Sequence, residues 1–436
     1  MIDYELIINS FDIAAAGVII MMMAMSWYYI GALFLSQKKI REVPHSDKKS
    51  KFAVLIPARN EGKIIINIIN SLHNQTYDPK YFDIWFILES KEDIAYDIAL
   101  EHGCHVFIRD ELTPDRHTKG FALQECIRYF KKEGFKYDAY MIFDADNVMD
   151  TNYLEAMNDL RQSGVEVGVG YRNFTNANVN WRTSCSACLF TYINSFTSKS
   201  RTLLFKKAVI SGTGYYINAD IVDEAGGWIF TGMTEDTELT SYCYYHDINM
   251  RYYPLVNYYD EQATDFKTMH NQHIRWVWGF FTKRSRLKHG AKHHTLKPAL
   301  YRAARMEYAL GLFPFACFAI INFLILVASL ILGFTSFYFN KSYTGTLFIH
   351  ALFQFLILYN VFVVVAIVVI AHDNNKLHLK PFSIIWCVLM YSFFFADILF
   401  AFIDGLIHKK KRTTWKPIKH SGKIKDKRAK SVSKDA

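Results

Sequence analysis

The stretch Ala139-Tyr-Met-Ile-Phe-Asp-Ala-Asp146 sets the reading of the whole chain: an apolar, β-prone run that ends in two carboxylates one residue apart. Side chains at i and i+2 of an extended segment point to the same side, so Asp144 and Asp146 can meet one cation where the strand gives out. Two neighbouring carboxylates without a cation repel each other and push up one pKa. A hard divalent ion such as Mg²⁺ or Mn²⁺ removes that cost and completes its shell with phosphate oxygens. The stretch therefore predicts a metal–diphosphate site at the end of a buried strand. Acids at this spacing also occur in ordinary surface loops, so the surrounding sequence has to decide.

Upstream, Phe52-Ala-Val-Leu-Ile-Pro57 reads as a short buried strand meeting a turn, followed by Arg59-Asn-Glu-Gly62 and a helical pattern over 64–72. Asp83-Ile-Trp-Phe-Ile-Leu88 and His105-Val-Phe-Ile108 are two further strands, and each is followed by a helical stretch, near 93–102 and over 119–131. Nearly all-apolar strands alternating with helices predict an α/β domain with a mostly parallel sheet. Ligands of such sheets lie beyond the carboxyl ends of the strands, where Asp144 and Asp146 stand.

Three downstream constellations fit a site there. Thr234-Glu-Asp236 precedes a helical stretch over 237–245. It reads either as a helix cap with acids at the positive end of the dipole, or as a general base held at a helix start. In Gln272-His-Ile-Arg-Trp276, positions 272, 275 and 276 share one helical face. A guanidinium there suits a diphosphate and an indole offers a flat platform for a sugar; the alternative is an amphipathic helix lying on a membrane. Ser211-Gly-Thr-Gly214 permits a tight turn or close backbone approach to a ligand. Lys119, at a helix start, can reach phosphate or simply be solvated.

The chain has 436 residues, 51% hydrophobic and 16% aromatic, and that average hides a split between a soluble-looking half and greasy ends. Residues 13–35 carry no charge over a length sufficient to cross a bilayer, which takes about 20 residues. Residues 309–334, 346–371 and 382–403 are three more candidate spans, which predicts an integral membrane protein. Asp3, Glu5 and Asp12 precede the first span and Lys38, Lys39 and Arg41 follow it, so the N-terminus faces out and the following domain faces the cytoplasm. A retained anchor fits better than a signal peptide, since no basic n-region or small-residue cleavage site is visible.

The formal charge of +9 belongs to the end of the chain: residues 409–436 hold twelve Lys and Arg against two Asp, a net +10, which leaves about −1 elsewhere. A basic tail after a membrane segment points to anionic lipid on the cytosolic side and away from nucleic acid, which would need a basic face on the folded domain. One N-terminal and three C-terminal spans would put that tail outside, so one C-terminal segment is expected to be interfacial or re-entrant. Asp397 lies inside the last apolar segment and Asp404 just beyond, and intramembrane acids face a bundle interior or a cavity. Of seven cysteines, Cys185 and Cys188 form a lone Cys-x-x-Cys pair. With no second pair they read as reduced cytosolic thiols and not as a zinc site.

Taken in order, these motifs resemble the membrane-embedded glycosyltransferases of family 2, the group of cellulose, hyaluronan and poly-N-acetylglucosamine synthases, over residues 50–285 and into the C-terminal apolar segments. The signatures DxD, TED and QxxRW stand as Asp144-Ala-Asp146, Thr234-Glu-Asp236 and Gln272-His-Ile-Arg-Trp276. Ile56-Pro-Ala-Arg-Asn-Glu61, Lys119-Gly-Phe-Ala-Leu123, Ser211-Gly-Thr-Gly214, Gly226-Gly-Trp228 and Trp415-Lys-Pro-Ile-Lys419 are supporting matches. The resemblance implies a GT-A domain (residues 38–285) between an N-terminal anchor (1–37) and a membrane or interfacial region (286–408), with the tail (409–436) in the cytosol. The acid that binds the nucleotide after the second strand falls on Glu89, with Asp93 as rival. The second QxxRW position, often Arg, is His273, which leaves that face one fixed cation short.

What the resemblance implies chemically is an inverting transfer from a UDP-sugar at the cytoplasmic membrane face. Asp144 would contact the nucleotide, and Asp146 would be the main ligand of Mg²⁺ or Mn²⁺, with Asp144 assisting. The metal would neutralise the diphosphate leaving group. Asp236 would be the catalytic base. Ala58, Glu61, Glu89, Lys119 and Arg275 would complete the donor site, and Gln272, Trp276, Glu235, Gly212 and Thr213 the acceptor site. QxxRW is the family's mark of processive synthesis, so a β-linked polysaccharide elongated and exported is the first expectation. Transfer of one sugar to a membrane lipid is the second. A secretion scaffold with an inactive transferase domain is a third, against which the acids at 144, 146 and 236 speak.

Overall fold

A computed structural model of the chain describes residues 31–110, 112–113, 116–282, 321–339 and 344–407, with scattered positions before residue 21. The four expected strands form as β1 (Phe52–Pro57), β2 (Phe82–Leu88), β3 (His105–Ile108) and β4 (Ala139–Ile142), followed by β5 (Val148–Met149), β6 (Val167–Phe174), β7 (Tyr215–Asn218) and β8 (Met250–Asp260). They build one sheet in the order β3-β2-β1-β4-β7-β6-β8-β5. The first half is wholly parallel, with Phe52 opposite both Phe82 and Ala139. The second half is mixed: β7 runs antiparallel to β4 and β6, β6 is parallel to β8, and β5 antiparallel to β8. Strands covered on both faces carry no alternation, so their direction is not written in their apolar pattern.

The helices of the domain are α1 (Ile65–His73), α2 (Ile94–Glu101), α3 (Lys119–Glu133), α4 (Tyr153–Gln162), α5 (Trp181–Thr191), α6 (Lys199–Phe205), α7 (Ala219–Glu224), α8 (Glu235–Tyr245) and α9 (Phe266–Thr282). α3 is typical of their local logic: the Thr118 hydroxyl accepts from the Phe121 amide at 3.3 Å, and Gly134 closes the helix in the left-handed region. Phe52, Val54, Leu55, Phe86, Leu88 and Ile142 are fully enclosed between the helical layers. Each side chain of this kind contributes about 1.5–3 kcal/mol when removed from water. The shared parallel register brings the strand ends together, and Ala58, Glu89, Arg109 and Asp144 follow β1 to β4 along one edge.

Three long apolar helices follow: α10 (Ile321–Tyr338), α11 (Thr344–Leu377) and α12 (Pro381–Ile407). Each is long and apolar enough to cross a membrane. They overlap the candidate spans at 309–334, 346–371 and 382–403; the first candidate, 13–35, lies mostly outside the described residues, as do 286–308, Trp415-Lys-Pro-Ile-Lys419 and the tail. α11 and α12 share a second core with the domain. Cys185, Cys188 and Phe190 of α5 and Met269 of α9 pack with Phe362, Ala366 and Val369 of α11 and with Cys387, Tyr391 and Phe394 of α12. The turn between the two helices is tied to the domain, with the Asn178 Nδ2 donating to the His378 carbonyl at 3.0 Å and the Lys376 Nζ to the Pro254 carbonyl at 2.8 Å. Cys185 and Cys188 are buried, unbridged thiols, and burial pushes the Cys188 thiol up, as expected for inert packing residues.

Candidate active site

The acid pair is held by its backbone and by one buried amide. The Asp144 N–H donates to the Thr213 hydroxyl at 2.9 Å and to the Asn147 Oδ1 at 3.1 Å, and the Thr213 hydroxyl itself donates to that Oδ1. Asn147 and Thr213 are fully enclosed. Asn147 then donates through Nδ2 to the Asp146 Oδ1 at 3.2 Å, while the Glu261 N–H reaches the Asp146 Oδ2 at 3.2 Å. These bonds fix the Asp144 backbone and the Asp146 carboxylate as the chain leaves the strand. Thr213 is therefore engaged under the acid pair.

Lys119 joins this pair to the second acid motif. Its ammonium lies 2.5 Å from the Asp144 Oδ1, 2.8 Å from the Gly212 carbonyl and 4.0 Å from the Glu235 Oε1. It can sit there because α3 starts hard against the 230–231 backbone: a Cβ on Gly120 would stand 2.2 Å from the Phe230 carbonyl oxygen. Gly212, at φ +90°, is on the other side, and a Cβ there would be 3.8 Å from the Asp236 Oδ2. Lys119, Asp144, Gly212, Glu235 and Asp236 thus converge at one point.

The Thr-Glu-Asp motif does begin a helix, but Thr234 makes no side-chain capping bond. Asp236 is part-exposed and accepts from the Thr237 amide at 2.7 Å. Burial pushes the Glu235 carboxyl up to about 8 against the pull of Lys119, with Asp236 and Asp144 adding repulsion.

α9 is pressed onto this motif. A Cβ on Gly279 would meet the Thr234 side chain at 2.2 Å, so the helix backbone touches the loop that carries Glu235 and Asp236. Gln272, Arg275, Trp276 and Gly279 lie at i, i+3, i+4 and i+7 and form one face; that face is the one turned to the acids. Trp276 also stands edge-on to Phe190 at 5.8 Å. His273, the second position of the motif, is buried beside this face, its ring 5.1 Å from the Trp276 ring and its Nδ1 2.6 Å from the Asp397 Oδ2.

At the end of β2, Glu89 is ringed by two guanidinium groups and an imidazole: Arg59 Nε at 2.8 Å, Arg109 Nη1 at 3.5 Å and His117 Nδ1 at 3.3 Å. Asp93, the rival, spends both oxygens on the amides of Ala95 and Asn60, at 3.0 and 2.8 Å. Glu89 is therefore the acid at the strand end. Ala58 is buried with its N–H on the Ile87 carbonyl, and Glu61 opens the single turn Gly62–Ile64 beside it.

Sequence reasoning missed four structural members of the site: Asn147, Arg172, Asp260 and Glu261. The Arg172 Nε and Nη2 bind the Asp260 Oδ2, the first at 3.0 Å, and Nη1 donates to the Ser211 carbonyl at 2.6 Å. The guanidinium lies 3.7 Å over the Phe190 ring. Only Asn147, directly behind the acid pair, carried a signal in the sequence; the other three are brought in by long-range strand pairing.

Asp144 and Asp146 fit a hard divalent cation: both offer carboxylate oxygens, and Asp144 keeps 41% of its side chain open to the cleft. His45, Glu155 and Asp159 also cluster at metal-ligand distances, but elsewhere. They lie by Ser46–Ser50, at the amino end of β1, and the Lys49 ammonium already stands 2.5 Å from Glu155. That cluster is remote from the strand ends that carry the site.

Residues 49–279 match the model of the family described as "Glycosyltransferase like family 2". A probable glycosyltransferase, YdaM of Bacillus subtilis, is 28% identical over 257 residues, covering 56% of this chain and 57% of that protein. A beta-monoglucosyldiacylglycerol synthase of Trichormus variabilis is 24% identical over 238 residues, covering 53% of this chain and 49% of that protein. The chain thus spans about half the length of the curated relatives it matches. Among solved structures, a mannosyltransferase from Pyrobaculum calidifontis, determined with GDP-Man and Mn²⁺, superposes with a TM-score of 0.58 over 92% of this chain and 99% of its own, at 13% identity.

Proposed function

The chain belongs to glycosyltransferase family 2, with a GT-A-like α/β domain followed by apolar helices, and on that premise we propose that it transfers a sugar from a UDP donor, with inversion, to an acceptor held at the membrane surface. The observation that carries this reading is the convergence of Lys119, Asp144, Gly212, Glu235 and Asp236 at the carboxyl ends of the strands.

Each residue then has a task. Asp146, fixed by Asn147 and Glu261, and Asp144 would hold Mg²⁺ or Mn²⁺, which when bound supplies the Lewis-acid neutralisation of the diphosphate. Lys119 offers a positive charge to the same leaving group. Glu89, among these groups at the end of β2, faces the nucleotide base. Asp236 takes the proton of the acceptor hydroxyl; the Glu235 carboxyl beside it, pushed up to about 8 by burial, would itself carry a proton at neutral pH. Arg275 and Gln272 face the diphosphate, and Trp276 and the Gly212–Thr213 backbone the acceptor sugar.

The reaction is assigned to the cytoplasmic face of the membrane, a reading supported by the three apolar helices and the basic residues after the 13–35 segment, with α12, which packs along α5 and α9, as the interfacial segment. Elongation of a β-linked glycan is the reading that the Gln-x-x-Arg-Trp helix supports. A second reading, one sugar added to a lipid, is favoured by the similarity to a beta-monoglucosyldiacylglycerol synthase.

The test is purified protein incubated with labelled UDP-glucose, UDP-N-acetylglucosamine, UDP-galactose or UDP-glucuronate, with Mg²⁺ or Mn²⁺ and membrane lipid. A ladder of products supports elongation, and a single glycolipid supports the second reading. No product from any UDP- or GDP-sugar refutes transfer altogether.

A further inference from the structure

α9 carries two histidines that the reaction does not use. His270 and His273 lie one turn apart on the flank adjoining the Gln272, Arg275 and Trp276 face, with the His273 ring 5.1 Å from the Trp276 ring. Both point at the same carboxylate: the His270 Nδ1 is 2.7 Å from the Asp397 Oδ1, and the His273 Nδ1 is 2.6 Å from Oδ2. Asp397 is 4% exposed and stands within α12, a mostly apolar helix whose one other charged residue is Asp404.

A carboxylate in such surroundings is costly unless both oxygens are hydrogen-bonded. An ionised carboxylate only accepts, so each imidazole has to carry its proton on Nδ1. Two donors one turn apart on one helix, meeting two oxygens of one residue on another, leave α9 neither free to roll nor free to slide along α12. The other groups around the pair reinforce this fit: Phe394 stands edge-on to His273 at 4.9 Å, Phe266 stacks on His270 at 5.9 Å, and Asp404 lies 4.0 Å from the His270 Nε2. Burial lowers the His273 pKa in spite of Asp397, consistent with a neutral ring that donates.

The rotation of α9 matters because the adjoining side is the working face. Gly279 touches Thr234 of the acid motif, and Trp276 is wedged against Phe190, whose other side is covered by Arg172. A roll of the helix by one residue's worth, about 100°, would carry Arg275 and Trp276 away from the acids.

We propose that Asp397 is a positioning residue for sugar transfer: through His270 and His273 it sets the rotation of α9 and so the placement of Gln272, Arg275 and Trp276 against Asp236. This rests on the transferase reading above, and it makes an apolar helix outside the GT-A domain part of the acceptor geometry. Asp397 touches no substrate; it acts only through α9.

The test uses the full-length protein in lipid nanodiscs, with amide hydrogen exchange over 266–279 and two rates: sugar transfer, and UDP release to water without acceptor. Asp397→Leu is expected to speed α9 exchange at least tenfold and to cut transfer at least tenfold. UDP release should fall clearly less than transfer, because Trp276 of α9 serves the acceptor, whereas on the donor side α9 adds only Arg275 and Gln272 to what β4, α3 and α8 hold. The pair His270→Asn and His273→Asn, whose carboxamide N–H lies near the Nδ1 position, should keep transfer within threefold; the pair His270→Leu and His273→Leu should reproduce the loss. If Asp397→Leu does not fold, the two histidine pairs decide. Unchanged α9 exchange and transfer in Asp397→Leu would overturn the proposal, as would equal loss of transfer and UDP release, or an Asn pair as impaired as the Leu pair. A wild-type protein that releases no UDP from any donor refutes the transferase reading instead, and α9 exchange still tests the clamp.

Discussion

Arg172→Met should be among the most damaging single changes in the domain, although the residue touches no substrate. Arg172 is 8% exposed and Asp260 4%, and the side chain supplies two of the three hydrogen bonds on the Asp260 Oδ2. The other oxygen, Oδ1, accepts nothing from any described residue. Removing the guanidinium leaves a buried carboxylate with only the Gln262 amide, at 2.8 Å. Breaking a buried pair from one side costs about 3–5 kcal/mol. A domain of this size loses about 2–4 °C of midpoint per kcal/mol, so the apparent unfolding midpoint should fall by roughly 6–20 °C. Burial already pushes the Asp260 carboxyl up against the pull of Arg172. Without Arg172 it rises further, so protonation becomes the easier state in the fold. The deficit should therefore be full near neutral pH and shrink as pH falls toward the unfolded carboxylate value of about 3.9. The double variant Arg172→Met with Asp260→Leu removes the stranded charge and should recover most of the loss. Activity should fall as well, because the Ser211 carbonyl loses its 2.6 Å donor at the start of the loop that holds Asp144. Thermal unfolding of the purified variants from pH 5 to 8 checks this. A single variant within about 2 °C of wild type, or a double variant no better than the single, would refute the reasoning.

Asp236→Asn should lower the transfer rate by about 10²–10⁴-fold, the usual worth of a general base, with donor KM within threefold; a parallel loss of donor affinity would recast Asp236 as a binding residue. Chelation should abolish transfer, with Mn²⁺ or Mg²⁺ restoring it, and Asp146→Asn should raise the metal concentration needed for half activity at least tenfold. Gly214→Ala places a Cβ 2.1 Å from the enclosed Tyr258 ring at a backbone φ of +67°. Overpacking and the left-handed backbone together should cost about 2–4 kcal/mol, read as a lowered unfolding midpoint. A cysteine placed in the 409–436 tail should be shielded from an impermeant thiol reagent in intact cells and labelled after lysis; labelling in intact cells would make α12 a full span.

The parallel half of the sheet was legible because each of its strands is a continuous apolar run between turn signals, and the acid pair was legible because it ends such a run. β6 was not, since Val-Gly-Val-Gly-Tyr-Arg-Asn-Phe carries two glycines and a buried arginine. β8 was obscured by Pro254 inside it. Within the site, local patterns named Lys119, Glu235 and Asp236, whose roles follow from helix starts. Arg172 and Asp260 meet only because β6 and β8 pair along their length, and no local pattern encodes that. The same limit hid the partner of His273: helical periodicity says which residues share a face but not where a neighbouring helix, here the one carrying Asp397, lies.

The membrane arrangement shows how a contradiction in the sequence can be a structural clue. Four apolar segments and a basic tail could not all obey the positive-inside rule with the domain in the cytoplasm. α11 and α12 meet at a turn fastened to the domain by Asn178, so α11 returns to the domain's side. From that turn α12 does not leave the domain. Cys387 and Tyr391 pack on α5, and sixteen residues into the helix Asp397 is still bonded to α9. Its outer side exposes Ile385, Leu389, Phe393 and Phe400. A helix with one flank in a protein core and the other apolar fits a membrane boundary as well as a span. With α12 at such a boundary, crossings by α10, α11 and the 13–35 segment would satisfy the positive-inside rule for a tail of twelve cations, which is the arrangement proposed above. The acid that looked misplaced in a membrane span is then the contact that holds this helix against the catalytic domain.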